Sequence, residues 1–174
     1  MKITFLGTGT SVGVPVINCQ CEVCRSADPR DHRLRTSALV ETRGRNFLID
    51  CGPDFRTQML RLGSPRLDAL LVTHTHYDHL GGIDDLRPYC SADHGFPIYC
   101  RKEVARDIHV RMPYCFEPHN SHMTLDEALT IVGRVNPRKA YLIHFSHDIG
   151  LHAQTSLQLP PNVIMAHDTL SVTL

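Results

Sequence analysis

Several features that often indicate a function are missing from this sequence. It has no tryptophan and no excess of either charge, because 18 Lys and Arg residues balance 18 Asp and Glu residues. No strong global field recruits nucleic acid or acidic membranes, so an anionic substrate must be held locally. No apolar run approaches membrane-spanning length, and the first residues do not resemble a signal peptide. We therefore expect a cytoplasmic protein.

Two kinds of site are also disfavoured. The glycine-rich loop G-T-G-T-S-V-G at 7–13 lacks the Gly-Lys-Ser/Thr ending of a P-loop, which argues against nucleotide binding. A tight turn is favoured for this loop over direct phosphate contact. The odd count of seven cysteines, in a compartment expected to be reducing, argues against a disulfide framework. The length and the ordinary composition suit a single domain over 1–174.

Histidine is abundant, with 12 residues, and four candidate metal ligands fall within six positions: His74, His76, Asp78 and His79. They follow the apolar run A-L-L-V at 69–72, which is typical of a buried strand. Because side chains alternate across a strand, the first two histidines leave its end on one side, whereas the last two ligands follow a turn and face differently. This layout predicts two neighbouring metal ions, and histidines in a solvated loop are the disfavoured alternative.

A second cluster has the pattern C-x-C-x-x-C and consists of Cys19, Cys21 and Cys24. It offers three thiolates from one short loop, whereas a structural zinc ion needs four ligands, so a fourth must come from elsewhere in the fold. A zinc site is favoured over a redox role or coincidence. The other four cysteines have no ligand-like spacing and are interpreted as core thiols. They are Cys51, Cys90, Cys100 and Cys115.

Local patterns also predict most of the secondary structure. Two strands at 35–41 and 46–50 form a hairpin, and T-L-D-E at 124–127 is a capping box that opens a helix. Further helices are predicted at 53–62 and 102–110. Further strands are predicted at 3–6, 97–100, 140–143, 163–166 and 170–173.

The H-x-H-x-D-H motif after a strand resembles the first metal-binding motif of the metallo-β-lactamase superfamily. Its members are mostly hydrolases that hold one or two metals in an αββα sandwich, so the resemblance implies an α/β fold of that architecture. Together with the glycine loop and the cysteine cluster, the motif is similar to the PhnP-type phosphodiesterases. These are accessory enzymes of carbon–phosphorus lyase pathways that act on cyclic ribose phosphates.

The resemblance implies a dinuclear active site. The first metal is expected to bind His74 and His76, and the second Asp78, His79 and His144, which follows the predicted strand 140–143. Zn or Mn suits such mixed imidazole and carboxylate ligands. The implied function is hydrolysis of small phosphodiesters, with cyclic ones favoured, by a metal-activated hydroxide.

Three further residues receive roles from the resemblance. Asp50, after the second hairpin strand, is expected to orient a ligand histidine, with a turn or N-cap residue as the alternative. His147 is expected to complete the structural zinc site with the three clustered cysteines, and a surface histidine is the alternative. His122 is expected to protonate the leaving alkoxide as general acid, with a solvent-facing loop histidine as the alternative.

Part of the family pattern is absent near Phe116 and Glu117, where several tens of residues are expected. That stretch normally supplies a third histidine to the first metal and an aspartate that bridges both. We favour a disordered or cleaved middle segment over a true deletion, and a true deletion over a compact variant. A chain that lacks both ligands is expected to bind metal weakly and to have little activity.

Other functions are compatible with the same motif. A tRNA 3′-processing nuclease of this fold is one alternative, although neither an RNA-binding arm nor a basic tract is seen. A non-catalytic metal-binding member that resembles the pyrroloquinoline-quinone biosynthesis protein is another. The expected partner is a small phosphodiester, with nucleic acid disfavoured and no membrane. The sequence does not specify the substrate, the metal or the assembly, for which a homodimer is one alternative.

Overall fold

The computed structural model describes residues 1–91, 93–115 and 123–172. The chain divides into two compact units, Met1–His119 and Asn120–Leu174. The predicted junction at 116/117 lies outside the described residues, and the single domain over 1–174 stays a prediction. Within the described ranges, no helix combines the length and the apolar character needed to cross a membrane.

The first unit contains a five-stranded sheet and three α-helices among its described residues. The strands are β1 (Lys2–Gly7), β2 (Ser37–Thr42), β3 (Arg45–Ile49), β4 (Ala69–Leu71) and β5 (Ile98–Tyr99). The α-helices are α1 (Phe55–Arg61), α2 (Tyr77–Leu80) and α3 (Lys102–Arg111). Short 3-10 helices lie at Pro29–Asp31, Ile83–Tyr89 and Pro113–Cys115. The predicted hairpin is confirmed as β2 and β3, which pair antiparallel across a turn at Arg43 and Gly44.

The strand directions determine where the metal motif lies. The sheet order is β1-β2-β3-β4-β5, in which β2 is antiparallel to both neighbours and the pairs β3/β4 and β4/β5 are parallel. The strands β1, β3, β4 and β5 therefore all end at one edge of the sheet. The glycine loop, Asp50 and the residues after Val72 all begin at this edge, which brings segments distant in sequence together.

A continuous hydrophobic core supports that edge. Leu48 and Leu70 face each other in the β3/β4 register and are fully buried, and Phe55 of α1 packs in the same cluster. The helix α3 contributes Val104 and Ile108. Complete burial of one such side chain contributes roughly 1.5–3 kcal/mol, so this packing fixes the strand ends firmly.

The second unit is smaller. It contains α4 (Leu125–Val135), β6 (Ala140–Leu142), a 3-10 helix at His147–Ile149, α5 (His152–Ser156) and β7 (Val163–Met165). The strands β6 and β7 pair in parallel. The predicted capping box is confirmed, because the Thr124 side chain accepts from the Glu127 backbone N–H and the Glu127 carboxylate accepts from the Thr124 N–H.

Three structural expectations are wrong in part. The predicted last strand does not form at 170–172, which have no strand partner in the described part of the chain, and Thr173 lies outside that part. Cys90 is exposed at the end of a 3-10 helix and is therefore no core thiol, unlike the fully buried Cys51. The helix predicted at 53–62 forms as α1 over Phe55–Arg61, and Leu62, which the prediction placed in the helix, follows its last residue and is exposed.

Candidate metal centre

The Asp50 carboxylate is the organising group of the centre. Asp50 follows β3 with a positive φ of 59° and is only 4% exposed. Its N–H donates to the Leu71 carbonyl at 2.9 Å, which continues the β3/β4 hydrogen-bond ladder by one residue. Its Oδ1 accepts from the backbone N–H of Thr73 at 2.8 Å, and its Oδ2 lies 2.7 Å from Nδ1 of His79. A buried carboxylate needs such partners to stay charged. Asp50 therefore ties the end of β3 to the motif after β4.

His79 lies between two carboxylates. With Nδ1 donating to Asp50, the neutral imidazole presents a lone pair at Nε2. That nitrogen lies 3.2 Å from Oδ2 of Asp78, which is also an acceptor. Two facing acceptors repel each other unless a proton or a metal ion lies between them. The Asp78–His79 pair is thus a partly buried pair of donor atoms suited to a divalent metal.

His74 is connected to the same aspartate through a hydroxyl. The Thr73 Oγ1 lies 2.8 Å from Oδ2 of Asp50 and 3.0 Å from Nδ1 of His74. A hydroxyl can donate only one hydrogen bond, and the Thr73 hydroxyl donates it to the Asp50 carboxylate. We therefore assign Nδ1–H of His74 as the donor to the Thr73 oxygen. This assignment leaves the Nε2 lone pair of His74 for a metal. Asp50 consequently orients one histidine directly and a second through Thr73.

The three imidazoles of the motif form one group. The ring centroid of His74 lies 4.0 Å from that of His79 and 4.6 Å from that of His76. His76 is the N-cap residue of α2, and its carbonyl accepts from the His79 N–H at 3.0 Å. The short helix therefore starts inside the motif and turns Asp78 and His79 away from the strand direction.

Two glycines allow the backbones to approach closely enough for this geometry. A Cβ at Gly52 would overlap the carbonyl of Asp78, and a Cβ at Gly82 would overlap the carbonyl of Gly52. The Cys51 N–H donates to the His79 carbonyl at 2.8 Å, and its own carbonyl accepts from the Gly82 N–H at 2.9 Å. Any side chain at either glycine would push Asp50 away from His79.

The cysteine cluster forms a second candidate site. The Sγ atoms of Cys19, Cys21 and Cys24 all lie within 4.8 Å of one another. The Cys24 backbone N–H, together with the neighbouring thiols, lowers the pKa of the Cys21 thiol. Three converging sulfurs on an exposed loop fit the donor chemistry of structural zinc. Among the described residues no other three His, Cys, Asp or Glu residues converge this tightly.

The remaining site predictions fall in the second unit or outside the described residues. His144 follows β6 with a positive φ of 69° and lines a cavity of about 610 Å³ together with Leu142, Phe145 and Ile149. His147 is almost fully exposed, and its Nε2 lies 3.3 Å from Oδ1 of Asp148. Their pairing with ligands of the first unit stays a prediction. His122 lies outside the described residues.

Two hydroxyl groups near the motif were missed in the sequence. The Thr73 hydroxyl joins Asp50 to His74, and the contact is signalled only by its position next to a ligand histidine. The Thr75 hydroxyl donates to Oδ2 of Asp107 at 2.6 Å, a contact over 32 residues that no local pattern could indicate.

Comparison with known proteins identifies the family. A model described as "Beta-lactamase superfamily domain" matches residues 45–120, which include Asp50 and the whole histidine motif. The crystal structure of a diphosphatase from the PhnP family aligns with a TM-score of 0.63 and 30% identity, over 97% of this chain and 94% of that one. The chain belongs to the metallo-β-lactamase superfamily. Its α/β architecture is the fold of this hydrolase superfamily, and its PhnP-like branch is as predicted.

Curated relatives of this chain are longer than it is. A Porphyromonas gingivalis protein named octanoyltransferase is 31% identical over 98% of this chain and 51% of its own length. Ribonuclease Z of Bradyrhizobium diazoefficiens is 40% identical over 86 residues, which are 48% of this chain and 23% of that protein. The chain thus spans about half or less of these relatives. The first alignment runs over 251 positions, whereas this chain has 174 residues, so at least 77 positions of the alignment have no counterpart in this chain.

Proposed function

We propose that this chain carries the metal-binding part of a phosphodiesterase that acts on small phosphodiesters, with cyclic ones favoured. The observation that carries the proposal is the arrangement at His79, whose Nδ1 is held by Asp50 at 2.7 Å while Nε2 faces the Asp78 carboxylate at 3.2 Å. The contact with Asp50 fixes the tautomer of the His79 imidazole. Nε2 of His79 and Oδ2 of Asp78 then present two lone pairs that one cation can bind. If the Asp50–His79 pair had only a structural role, it would need no second carboxylate, that of Asp78, beside Nε2.

The donor set fits two divalent ions of the Zn or Mn type. His74 and His76 would hold one ion, and Asp78, His79 and His144 the other. When bound, the ions supply Lewis acidity toward the phosphoryl oxygens and lower the pKa of a water molecule at the site. Asp50 keeps the ligand imidazoles in the tautomer that presents Nε2.

Two groups complete the proposed chemistry. His122 would give a proton to the leaving alkoxide, since a histidine near its ordinary pKa can act as general acid at neutral pH. Cys19, Cys21 and Cys24 would hold a structural zinc with His147 as fourth ligand, so that this ion would connect the N-terminal loop to the segment after β6. The clustered sulfurs support the first three ligands.

The proposal is tested with the Mn²⁺-loaded protein on three substrates: bis-p-nitrophenyl phosphate, a 2′,3′-cyclic nucleotide and a diphosphate. Since two ligands of the family pattern are absent, we expect slow turnover, with the cyclic nucleotide preferred. His79→Ala should abolish both Mn²⁺ binding and turnover, whereas His94→Ala, at an exposed position outside the motif, should leave both unchanged. Metal binding without turnover on any of the three would favour a non-catalytic metal-binding protein.

A nuclease is the second candidate, because ribonuclease Z of Bradyrhizobium diazoefficiens matches about half of this chain at 40% identity. The balanced net charge argues against it, since nucleic-acid binding draws most of its affinity from cationic side chains. Cleavage of a tRNA precursor that is faster than cleavage of the cyclic nucleotide would favour the nuclease.

A further inference from the structure

The residue between the two histidines faces the opposite side of the chain. Because side chains alternate along extended backbone, Thr75 points away from the side on which His74 and His76 lie. Its hydroxyl donates to Oδ2 of Asp107 at 2.6 Å. The motif is therefore held at Asp50 on one side and at α3 on the other.

The contact with α3 is a closed set of three residues. Arg111 donates from Nη1 to the Thr75 carbonyl at 3.1 Å, and its Nη2 lies 3.1 Å from Oδ2 of Asp107. Each of the three residues thus contacts the other two. Both the side chain and the backbone of Thr75 are engaged, which restricts the peptide that joins the two histidines.

The helix that provides this contact is itself fixed. Val104 and Ile108 of α3 are buried in the core, so Asp107 and Arg111, one turn apart, project from a rigid element. The side chains of Asp107 and Arg111 are 40% and 54% exposed, respectively. Ion pairs this exposed contribute little to global stability, because water and salt screen them. Their effect is therefore local, on the position of the backbone at Thr75.

We propose that Asp107 and Arg111 are positioning residues that hold His74 and His76 in a geometry competent for metal binding, acting through Thr75. The inference rests on the proposed function, since it assumes that these histidines bind metal. It adds α3 to the metal centre, although none of its residues supplies a ligand.

The test measures the Mn²⁺ affinity of Thr75→Val, Asp107→Ala and their double variant, from the electron paramagnetic resonance signal of free Mn²⁺. Mn²⁺ is the probe because the soft thiolates of the cysteine cluster do not favour it. We expect each single variant to weaken binding by about 3- to 10-fold, at or below the range for direct partners of ligands. The double variant should be no weaker than Asp107→Ala alone, because the Thr75 hydroxyl has already lost its acceptor in that variant.

Two matched controls separate this effect from general damage. Thr75→Ser keeps the hydroxyl, and Glu103→Ala removes a carboxylate one turn before Asp107 on the exposed side of the same helix. Both should bind Mn²⁺ within about two-fold of the unmodified chain, as surface changes away from an interaction network do. In the metal-free protein, the NMR ring signals of His74 and His76 should shift in Thr75→Val and Asp107→Ala but not in Glu103→Ala.

The outcomes distinguish this inference from the proposed function. An unmodified chain that binds Mn²⁺ normally, together with Thr75→Val and Asp107→Ala variants that bind equally well, would overturn the positioning role alone. Additive losses in the double variant would also overturn it. Failure of the unmodified chain to bind Mn²⁺ would instead refute the proposed function and the positioning role with it.

Discussion

Asp50 and His79 are joined by a 2.7 Å contact between Oδ2 and Nδ1, although 29 residues separate them. The pairing exists because β3 and β4 are parallel and end at the same edge, where the first strand delivers the carboxylate and the second the imidazole. The backbone crossing at Gly52 and Gly82 maintains this distance. The tautomer of a candidate metal ligand is thus determined by the sheet topology.

Asp50→Asn should weaken Mn²⁺ binding by about 10- to 100-fold, the usual effect of removing a partner of a metal-ligating histidine. An amide that keeps its oxygen on Thr73 turns its NH₂ toward Nδ1 of His79, which favours the other tautomer and puts a proton on Nε2. The measurement is a titration followed by electron paramagnetic resonance, with the unfolding temperature of the metal-free protein recorded in parallel.

Asp68→Asn is the matched control for this change. Asp68 is a partly buried aspartate of the same unit whose Oδ2 accepts from the Asn46 N–H at 2.8 Å, and among the described residues it has no hydrogen bond or ion pair with a histidine. It should keep its Mn²⁺ affinity. Equal losses in both variants would mean that Asp50 acts on folding rather than on His79.

Thr73→Val should weaken Mn²⁺ binding, whereas Thr73→Ser should not. Valine keeps the shape but removes the hydroxyl that accepts from Nδ1 of His74, so this ring is free to rotate and to change tautomer. We expect a loss of about 10-fold, at the lower end of the range for such partners, because only one of the imidazoles is released. A serine variant as weak as the valine variant would show that the methyl group, rather than the hydroxyl, matters.

In a chain that carries the complete family pattern, His122→Ala should lower turnover by about 10²- to 10⁴-fold, the usual contribution of a general acid, while the Mn²⁺ content stays constant. The neighbouring His119→Ala serves as control and should keep its turnover. Steady-state kinetics and metal analysis on the same samples separate the roles. Loss of metal in His122→Ala would show that His122 is a ligand instead.

The parts of the centre predicted from sequence are those encoded by local patterns. The apolar run before His74 forms β4, and the capping box at Thr124 and Glu127 begins α4, because each depends on residues within one turn or strand. The turn of the chain into α2 after His76 was likewise indicated, yet the ring of His79 lies closer to that of His74 than the ring of His76 does.

What the sequence could not provide depends on tertiary neighbours. The predicted strand at 170–173 has a suitable alternating pattern, but a strand forms only beside a partner, and residues 170–172 have none among the residues that the structure describes. Cys90 is apolar in type yet exposed, at the residue that follows the 3-10 helix Ile83–Tyr89. The contact of Thr75 with Asp107 requires the packing of α3, which no local pattern specifies.

The cysteines should differ in reactivity according to their surroundings. Burial raises the pKa of the Cys51 thiol, so it stays protonated and inert, whereas Cys90 is exposed and should react with iodoacetamide in the native protein. Cys19, Cys21 and Cys24 should react in the metal-free protein and become protected when zinc is added, because coordinated thiolates are poor nucleophiles. Peptide mass spectrometry after brief labelling measures each site.

The zinc content should depend on the clustered cysteines and not on Cys90. Cys21→Ser removes one sulfur from a cluster whose Sγ atoms converge within 4.8 Å, and should lower the zinc bound per chain by about one ion after removal of weakly held metal. Cys90→Ser should leave the zinc content unchanged, because this thiol belongs to no cluster of ligands among the described residues. Labelling of Cys19 that zinc does not prevent would contradict the structural zinc site, since a bound ion occupies the lone pair that the alkylating reagent attacks.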